Sequence, residues 1–267
     1  MQAKLYVILG SHACRTAMLM LEHKGITHET VELPSGLHPF LLRLHGFAGN
    51  PRSFRRVDGG TNVMLGSLDR MGTVPALVID GERVKTNRRI ARVLERLRPE
   101  PPLFPADPED RQAVEEAERW GDEEFQMVAR RLGMAGALHD RDFMATDGRL
   151  GPLLSRNETA RRIGARLVGQ FVFRAGADEE AGLLARLPAL LDRIDGWIES
   201  GVLAGDALYA ADFVIAPSLA LLCYRRDLRP QIEGRPAIDL VDRLLPEPGK
   251  ARTAYPDGHV SQHSHSP

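Results

Sequence analysis

The chain has 267 residues, of which 43% are hydrophobic, so it is long enough for two folded domains and too apolar for an intrinsically disordered protein. Its 35 basic and 36 acidic residues give a net charge of −1, which gives no support for nucleic acid or an acidic membrane surface as the main partner. Two cysteines, Cys14 and Cys223, are too few for a disulfide framework and indicate a reducing, cytoplasmic setting.

Strand and helix patterns alternate in the first third of the chain. They predict, in order, a buried strand at 4–9, a helix at 14–24, a strand at 27–33, two strands at 73–80 and 82–86, and an amphipathic helix at 89–97. Gly25 is placed to end the first helix, and Asp80-Gly81 is a strong hairpin signal between the later strands. The β-α-β then β-β-α order is a recognisable supersecondary pattern.

A long segment, about residues 39–68, separates the second strand from the hairpin. Phe40, Leu41, Leu42 and Leu44 predict a helix there that packs on another part of the protein. The rest of the segment either extends the wall of a ligand cleft or forms a mobile loop.

The second half of the chain follows a helical period. A proline-rich linker at 99–106 precedes Asp107, which is placed to cap a helix that begins with Pro108. Helical segments at 183–200 and 211–228 each contain a proline, and the apolar stretch within the second is too short to span a bilayer. Residues 248–267 lack apolar periodicity and are predicted to be disordered. Histidines in that tail are read as accidental composition, so no metal site is predicted.

Several motifs in a fixed order carry a family resemblance. They are LYVILGSHACRTA (5–17), VELPSGLH (31–38), TVPALVIDGE (73–82) and LFPADPEDRQAVEEAERW (103–120). Together they resemble a cytosolic glutathione S-transferase, with the theta-like branch that uses serine in Ser-x-x-Cys-Arg as the nearest relative. The resemblance implies an α/β thioredoxin-like N-terminal domain at 1–98, with an insertion at about 39–68, and an all-α C-terminal domain at 107–247.

Ser11 is the residue for which the resemblance implies a catalytic role. In relatives the matching hydroxyl donates a hydrogen bond to the sulfur of glutathione and stabilises its thiolate, which is the nucleophile. The alternative is that Ser11 only caps the helix. Cys14 lies where a thioredoxin has its buried cysteine, and it is read as a packing residue, as is Cys223.

The remaining glutathione contacts are also implied by the resemblance. Pro75 in the run Thr73-Val74-Pro75 matches a cis-proline, and the backbone of Val74 then pairs with the cysteinyl part of glutathione. His38 matches a glutathione-contacting histidine, with a surface-loop histidine as the alternative.

One pair of positions departs from the family pattern. Relatives place Glu-Ser or Gln-Ser at the start of the next helix to hold the γ-glutamyl group, whereas this chain has Thr86-Asn87. An acid that pairs with the ligand's ammonium group is therefore missing, and the following Arg88 and Arg89 favour an anionic ligand.

The sequence leads to two functional hypotheses. The first is an enzyme of the detoxification type, a homodimeric transferase that conjugates glutathione, or a related thiol, to a small electrophile without a metal. The second is a non-catalytic protein of the same fold that binds a ligand or a partner, since fold does not fix function.

Overall fold

The computed structural model describes residues 1–8, 10–48, 56–57, 60–61, 73–139, 148–151 and 177–247. The predicted disordered tail and most of the segment after residue 48 lie outside the described residues. The strands are β1 (Ala3–Val7), β2 (Glu29–Glu32), β3 (Arg56–Val57), β4 (Gly60–Thr61), β5 (Ala76–Ile79) and β6 (Glu82–Lys85). The helices are α1 (His12–His23), α2 (His38–Leu44), α3 (Asn87–Leu97), α4 (Pro108–Trp120), α5 (Gln126–His139), α6 (Ala177–Glu199), α7 (Ala210–Leu222), α8 (Arg229–Ile232) and α9 (Pro236–Leu244).

The main sheet has four strands in the order β2-β1-β5-β6. Strand β1 pairs in parallel with β2 and antiparallel with β5, and β5 and β6 form the predicted hairpin. Asp80 and Gly81 both adopt positive φ angles in its turn, as the Asp-Gly pair requires. Strand β5 begins after Pro75, because proline has no N–H group to donate to a ladder.

Strand alternation divides the sheet between two layers of side chains. Leu5 and Val7 face the larger core, where α1 and α3 cover the sheet, whereas Tyr6 faces a smaller cluster under α2. The predicted helix in the segment after β2 is present as α2. Its packing differs from the prediction, because Leu42 is buried while Phe40 and Leu44 remain 65% and 82% exposed.

The described residues that follow β6 lie mostly in helices. Within 87–139, 148–151 and 177–247 the structure contains helices and turns but no strand. Asp107 caps α4 by accepting hydrogen bonds from the backbone N–H groups of Glu109 and Asp110, as predicted. Every residue of α7 is buried, and α1, α4, α5 and α9 all pack on it. None of the helices in the described ranges combines the length and the apolar character that a membrane span needs.

The start of α7 is fixed by a buried carboxylate. Asp212 is fully buried and accepts hydrogen bonds from the backbone N–H groups of Ala204, at 2.7 Å, and Tyr209, at 2.8 Å. The Tyr209 side chain makes no hydrogen bond at the cap, so the side-chain contacts of this helix start come from Asp212. The Asp212 carboxylate therefore joins the loop before α7 to the first turn of the helix.

A buried lysine fastens the linker between the two halves. Lys24, the last residue before Gly25, is fully buried, and its ammonium group donates to Glu95 and to the carbonyl oxygens of Pro99 and Pro101. Glu95 also accepts a hydrogen bond from the backbone N–H of Leu103. Lys24 and Glu95 thus connect the end of α1 and helix α3 to the linker.

Candidate functional site

The turn between β1 and α1 places a hydroxyl at a helix N-terminus. Ser11 is the N-cap of α1, and its Oγ accepts a hydrogen bond of 3.3 Å from the backbone N–H of Cys14. The acceptor role leaves the hydroxyl hydrogen available as a donor, with the Cys14 side chain as a nearby acceptor among the described residues. Ser11 is half-buried, so this hydrogen can meet a ligand at the positive end of the helix dipole.

The cysteine in the same turn does not offer a reactive thiol. Cys14 is 2% exposed, and burial raises the pKa of its thiol to about 11, although the hydrogen-bonding contact with Ser11 acts in the opposite direction. A thiol that stays protonated at neutral pH is a poor nucleophile. Its burial supports the interpretation of Cys14 as a packing residue.

Val74 lies at the same end of the two central strands, β1 and β5, as Ser11. The β1–β5 ladder ends at the pair Tyr6–Ala76, and in the same register Val7 lies opposite Pro75 and Ile8 lies opposite Val74, two positions beyond it. The backbone N–H of Ser11 donates to the carbonyl oxygen of Ile8 at 3.4 Å, which joins the α1 turn to this edge. The Val74–Pro75 peptide bond is cis, as the resemblance implied.

The first turn of α3 contains a rare backbone conformation. Thr86, the N-cap residue, has φ 71° and ψ 140°, a region that β-branched residues seldom occupy, and its side chain makes no cap hydrogen bond. Such outliers concentrate where a chain clamps a ligand. Asn87 is 2% exposed, and its Nδ2 donates to the backbone oxygen of Ala13 at 3.0 Å, while its Oδ1 is buried without a partner. The start of α3 is therefore attached directly to the first turn of α1.

The two arginines after Asn87 have different surroundings. The Arg88 guanidinium lies 3.1 Å from Glu123 and 3.7 Å from Glu118, so it is neutralised by the helical half of the molecule. Burial raises the pKa of Glu118, against the effect of Arg92 and Arg88. Arg89 is exposed. Arg88 thus links α3 to the helical region that follows it. The expectation from the sequence that both arginines face an anionic ligand does not agree with these contacts of Arg88.

His38 and Thr73 complete the set of residues taken from the sequence. His38 is the first residue of α2 and is half-buried; its Nδ1 is buried without a partner, and burial lowers its pKa. Thr73 is half-buried next to Val74. The structure thus brings Ser11, Val74 and the start of α3 together through hydrogen bonds or strand register, whereas no hydrogen bond joins the His38 side chain to them among the described residues.

Sequence reasoning missed a polar group beside Ser11. His12 is 4% exposed, and burial lowers its pKa well below the ordinary value, with the Arg130 charge acting in the same direction and the backbone of Gln126 opposing it. The Nε2 atom of His12 is buried without a partner. Only the position of His12 in the turn hints at this group, because Gln126 and Arg130 are distant in sequence and lie in a helix without a motif.

We expect His12 to make the fold sensitive to acid. Its folded pKa lies below its unfolded value of about 6.5, so its stabilising contribution is present above about pH 6.5 and is lost as the pH falls. Between pH 6.5 and pH 5 the free energy of unfolding of wild type should therefore fall relative to that of His12→Asn. Urea unfolding of wild type and His12→Asn at the two pH values measures it, with the exposed His45→Asn as control. Equal pH dependence in wild type and His12→Asn would contradict the assignment.

Comparisons with known proteins agree with the fold described above. Residues 10–97 match the family model described as the N-terminal domain of glutathione S-transferase. No curated protein matches the chain in sequence.

Among solved structures, a glutathione S-transferase from Rhodospirillum rubrum F11 is 22% identical, with a TM-score of 0.52 over 91% of each chain. FzlA from C. crescentus is 19% identical, with a TM-score of 0.52 over 91% of this chain and 88% of the other. A glutathione S-transferase of Ceriporiopsis subvermispora in complex with glutathione is 18% identical, with a TM-score of 0.57 over 91% of this chain and 96% of the other. The chain therefore has the glutathione S-transferase fold, a thioredoxin-like N-terminal domain followed by an all-α region, and its residues 10–97 match that family's N-terminal domain in sequence.

Proposed function

We propose that this protein is a theta-like, serine-type glutathione transferase that conjugates glutathione to a small electrophile. The observation that carries the proposal is the Ser11 hydroxyl, whose oxygen caps α1 while its hydrogen remains available at the helix N-terminus. A ligand thiol placed there gains a hydrogen-bond donor and the positive end of a helix dipole, and both stabilise the thiolate relative to the thiol.

In this proposal glutathione extends from Ser11 past the ends of the central strands. The backbone of Val74 pairs with the cysteinyl part of glutathione, and Thr73 and cis-Pro75 flank that contact. Thr86, Asn87 and His38 border the remaining part of the peptide. The electrophile binds against the helical half, and the reaction proceeds by thiolate stabilisation and proximity, with no metal and no covalent intermediate on the enzyme. A homodimer in the cytoplasm, acting in detoxification, completes the proposal.

The alternative is that the protein uses a related thiol in place of glutathione, or that it has no catalytic activity. The specific observation in its favour is the start of α3, where Asn87 uses its Nδ2 to hold Ala13 and Thr86 supplies no acid for an ammonium group. In that case the same cleft binds a ligand or helps to bind a partner without turnover.

Replacing Ser11 by aspartate tests the catalytic role without removing the helix cap. Aspartate is a good N-cap, but when ionised it only accepts hydrogen bonds and repels a thiolate. We expect Ser11→Asp and Ser11→Ala to lower kcat/KM for glutathione with benzyl chloride by about 10- to 100-fold, corresponding to one or two units in the pKa of the bound thiol. The pH–rate profile should move upward by the same amount.

The Ser200→Ala variant, which removes an exposed hydroxyl at the end of α6, is the matched control. Unchanged turnover in Ser11→Asp would leave Ser11 as a helix cap only. If calorimetry shows that wild type does not bind glutathione but Thr86→Glu does, the site no longer serves glutathione and the alternative is favoured.

A further inference from the structure

One face of α2 carries large apolar side chains that are exposed. Leu37, Phe40 and Leu44 are 59%, 65% and 82% exposed. Their spacing of three and four residues places them on one side of the helix, whereas Leu42, on the other side, is buried in the small cluster beneath it. Among the described residues, Met1 is the one other large apolar side chain with comparable exposure. The exposed apolar surface of the described chain is therefore concentrated on this short helix.

The chain around this face is basic. Residues 33–57 contain no aspartate or glutamate, and Arg43 is exposed within α2. Two further cations reach the end of α2 from β6. Arg83 donates to the carbonyl oxygen of His45 at 3.0 Å, and Lys85 donates to the carbonyl oxygen three residues later. These contacts place two positive charges beside the end of the helix.

The charge near α2 differs from that of the whole chain. The net charge of −1 averages over all residues, and for that reason it gave no support for an anionic membrane surface. Two acids on the neighbouring strands have partners away from α2, because Glu82 pairs with Arg96 and Glu29 pairs with Lys4. Glu32, at the end of β2, is the exposed acid that comes just before the acid-free run. The apolar face therefore adjoins a positively charged surface.

The size of the apolar face distinguishes between two kinds of partner. A specific protein interface buries about 800 Å² on each partner, which is more than three side chains on a helix of seven residues provide. A membrane surface requires less. A few phenylalanine and leucine side chains enter the boundary between headgroups and acyl chains, while nearby arginines and lysines attract anionic headgroups. The combination found at α2 therefore favours lipid over a protein partner.

We propose that the apolar face of α2 binds reversibly to an anionic lipid surface, with its three exposed apolar side chains among the acyl chains. Arg43, Arg83 and Lys85 then lie next to the headgroups. Binding requires no change of fold, because the apolar side chains are already exposed. It should weaken as the salt concentration rises, since salt screens the attraction between the cations and the headgroups. This inference does not depend on the proposed function.

Sedimentation of the full-length protein with lipid vesicles tests the proposal. Vesicles of phosphatidylcholine mixed with phosphatidylglycerol should bind wild type, whereas vesicles of phosphatidylcholine alone should bind it much less. The double variant Phe40→Ser, Leu44→Ser should lower the partition coefficient at least about 10-fold and keep the melting temperature of wild type, because both side chains are exposed. Arg43→Gln should lower it about fivefold, and the exposed Arg226→Gln in the helical half is the control and should change little.

The fluorescence of Phe40→Trp shows what surrounds this face with and without lipid. The difference spectrum against wild type should be that of an indole in water, and it should move to shorter wavelength when the mixed vesicles are added. Short-wavelength emission from lipid-free monomer would overturn the inference, because another part of the chain would then cover the face.

Three other results would overturn the inference as well. One is an oligomer that the double variant dissociates, with no binding to vesicles, since a second copy would then cover the face. Another is failure of wild type to bind the mixed vesicles, which would leave a protein as the partner. The third is equal binding of wild type to the mixed and the neutral vesicles, because the cations would then play no part. None of these measurements involves turnover, so none bears on the role of Ser11.

Discussion

Replacing Asp212 by alanine is expected to lower the free energy of unfolding by about 2–5 kcal/mol, because two backbone donors lose a buried acceptor at once. The carboxylate accepts from Ala204 with one oxygen and from Tyr209 with the other, and it is fully buried. The helix that it starts, α7, is the one on which α1, α4, α5 and α9 pack. Loss of the cap therefore weakens the centre of the helical region rather than a terminus.

The same carboxyl group should give stability a characteristic pH dependence. Burial raises the pKa of Asp212 to about 6, against the hydrogen bonds from Ala204 and Tyr209, whereas an unfolded aspartate titrates near 3.9. A raised folded pKa means that its stabilising contribution is fully present below about pH 3.9 and is lost as the pH rises through about 6. The stability of wild type relative to Asp212→Asn should therefore fall by about 2–3 kcal/mol across that range.

Urea unfolding of wild type, Asp212→Ala and Asp212→Asn, at several pH values from about 4 to 7, measures both effects. The exposed Asp206→Ala, in the loop before α7, is the control and should change little. A cost for Asp212→Ala no larger than that of the control would show that the two backbone groups find other partners. A constant difference between wild type and Asp212→Asn would contradict the raised pKa.

The parts of the fold that follow from local sequence were predictable. Asp107 caps α4, Asp80-Gly81 forms the hairpin turn, and Gly25 ends α1 with φ 59°, because each depends only on the residue type and its immediate neighbours. The position of Ser11 at the N-terminus of α1 follows from the same kind of signal. The cis Val74–Pro75 bond came instead from the family resemblance, since nothing local distinguishes it from a trans bond.

The features that sequence reasoning missed depend on contacts between distant segments. In the sequence Gln126 resembles any polar residue on a helix. Only the structure shows that it is buried beside His12 and that its amide nitrogen has no hydrogen-bond partner. Phe40 and Leu44 have the same apolar character as Leu42, but the helix buries only one side, and composition does not say which. The sequence does not show that Arg88 pairs with Glu118 and Glu123, because both acids are about 30 residues away along the chain.

Lys24 shows this limit most clearly, and its replacement by methionine is expected to lower the free energy of unfolding by about 3–5 kcal/mol. A lysine at the end of an amphipathic helix normally indicates a solvated surface, yet Lys24 is fully buried. Methionine fills a similar volume but leaves the Glu95 carboxylate, which is 21% exposed, and the carbonyl oxygens of Pro99 and Pro101 without their donor. The large effect therefore comes from the uncompensated charge.

Two further variants test that cause. Lys4→Met removes the partner of Glu29 in an exposed pair at 3.0 Å, and it should leave stability nearly unchanged because solvent screens that pair. Lys24→Met combined with Glu95→Gln removes both charges, and it should recover part of the lost stability because no unpaired charge remains. If the double variant is as unstable as Lys24→Met, the loss comes instead from releasing the linker carbonyls and the backbone N–H of Leu103. In that case the hydrogen bonds, rather than the charge pair, would hold the two halves of the molecule together.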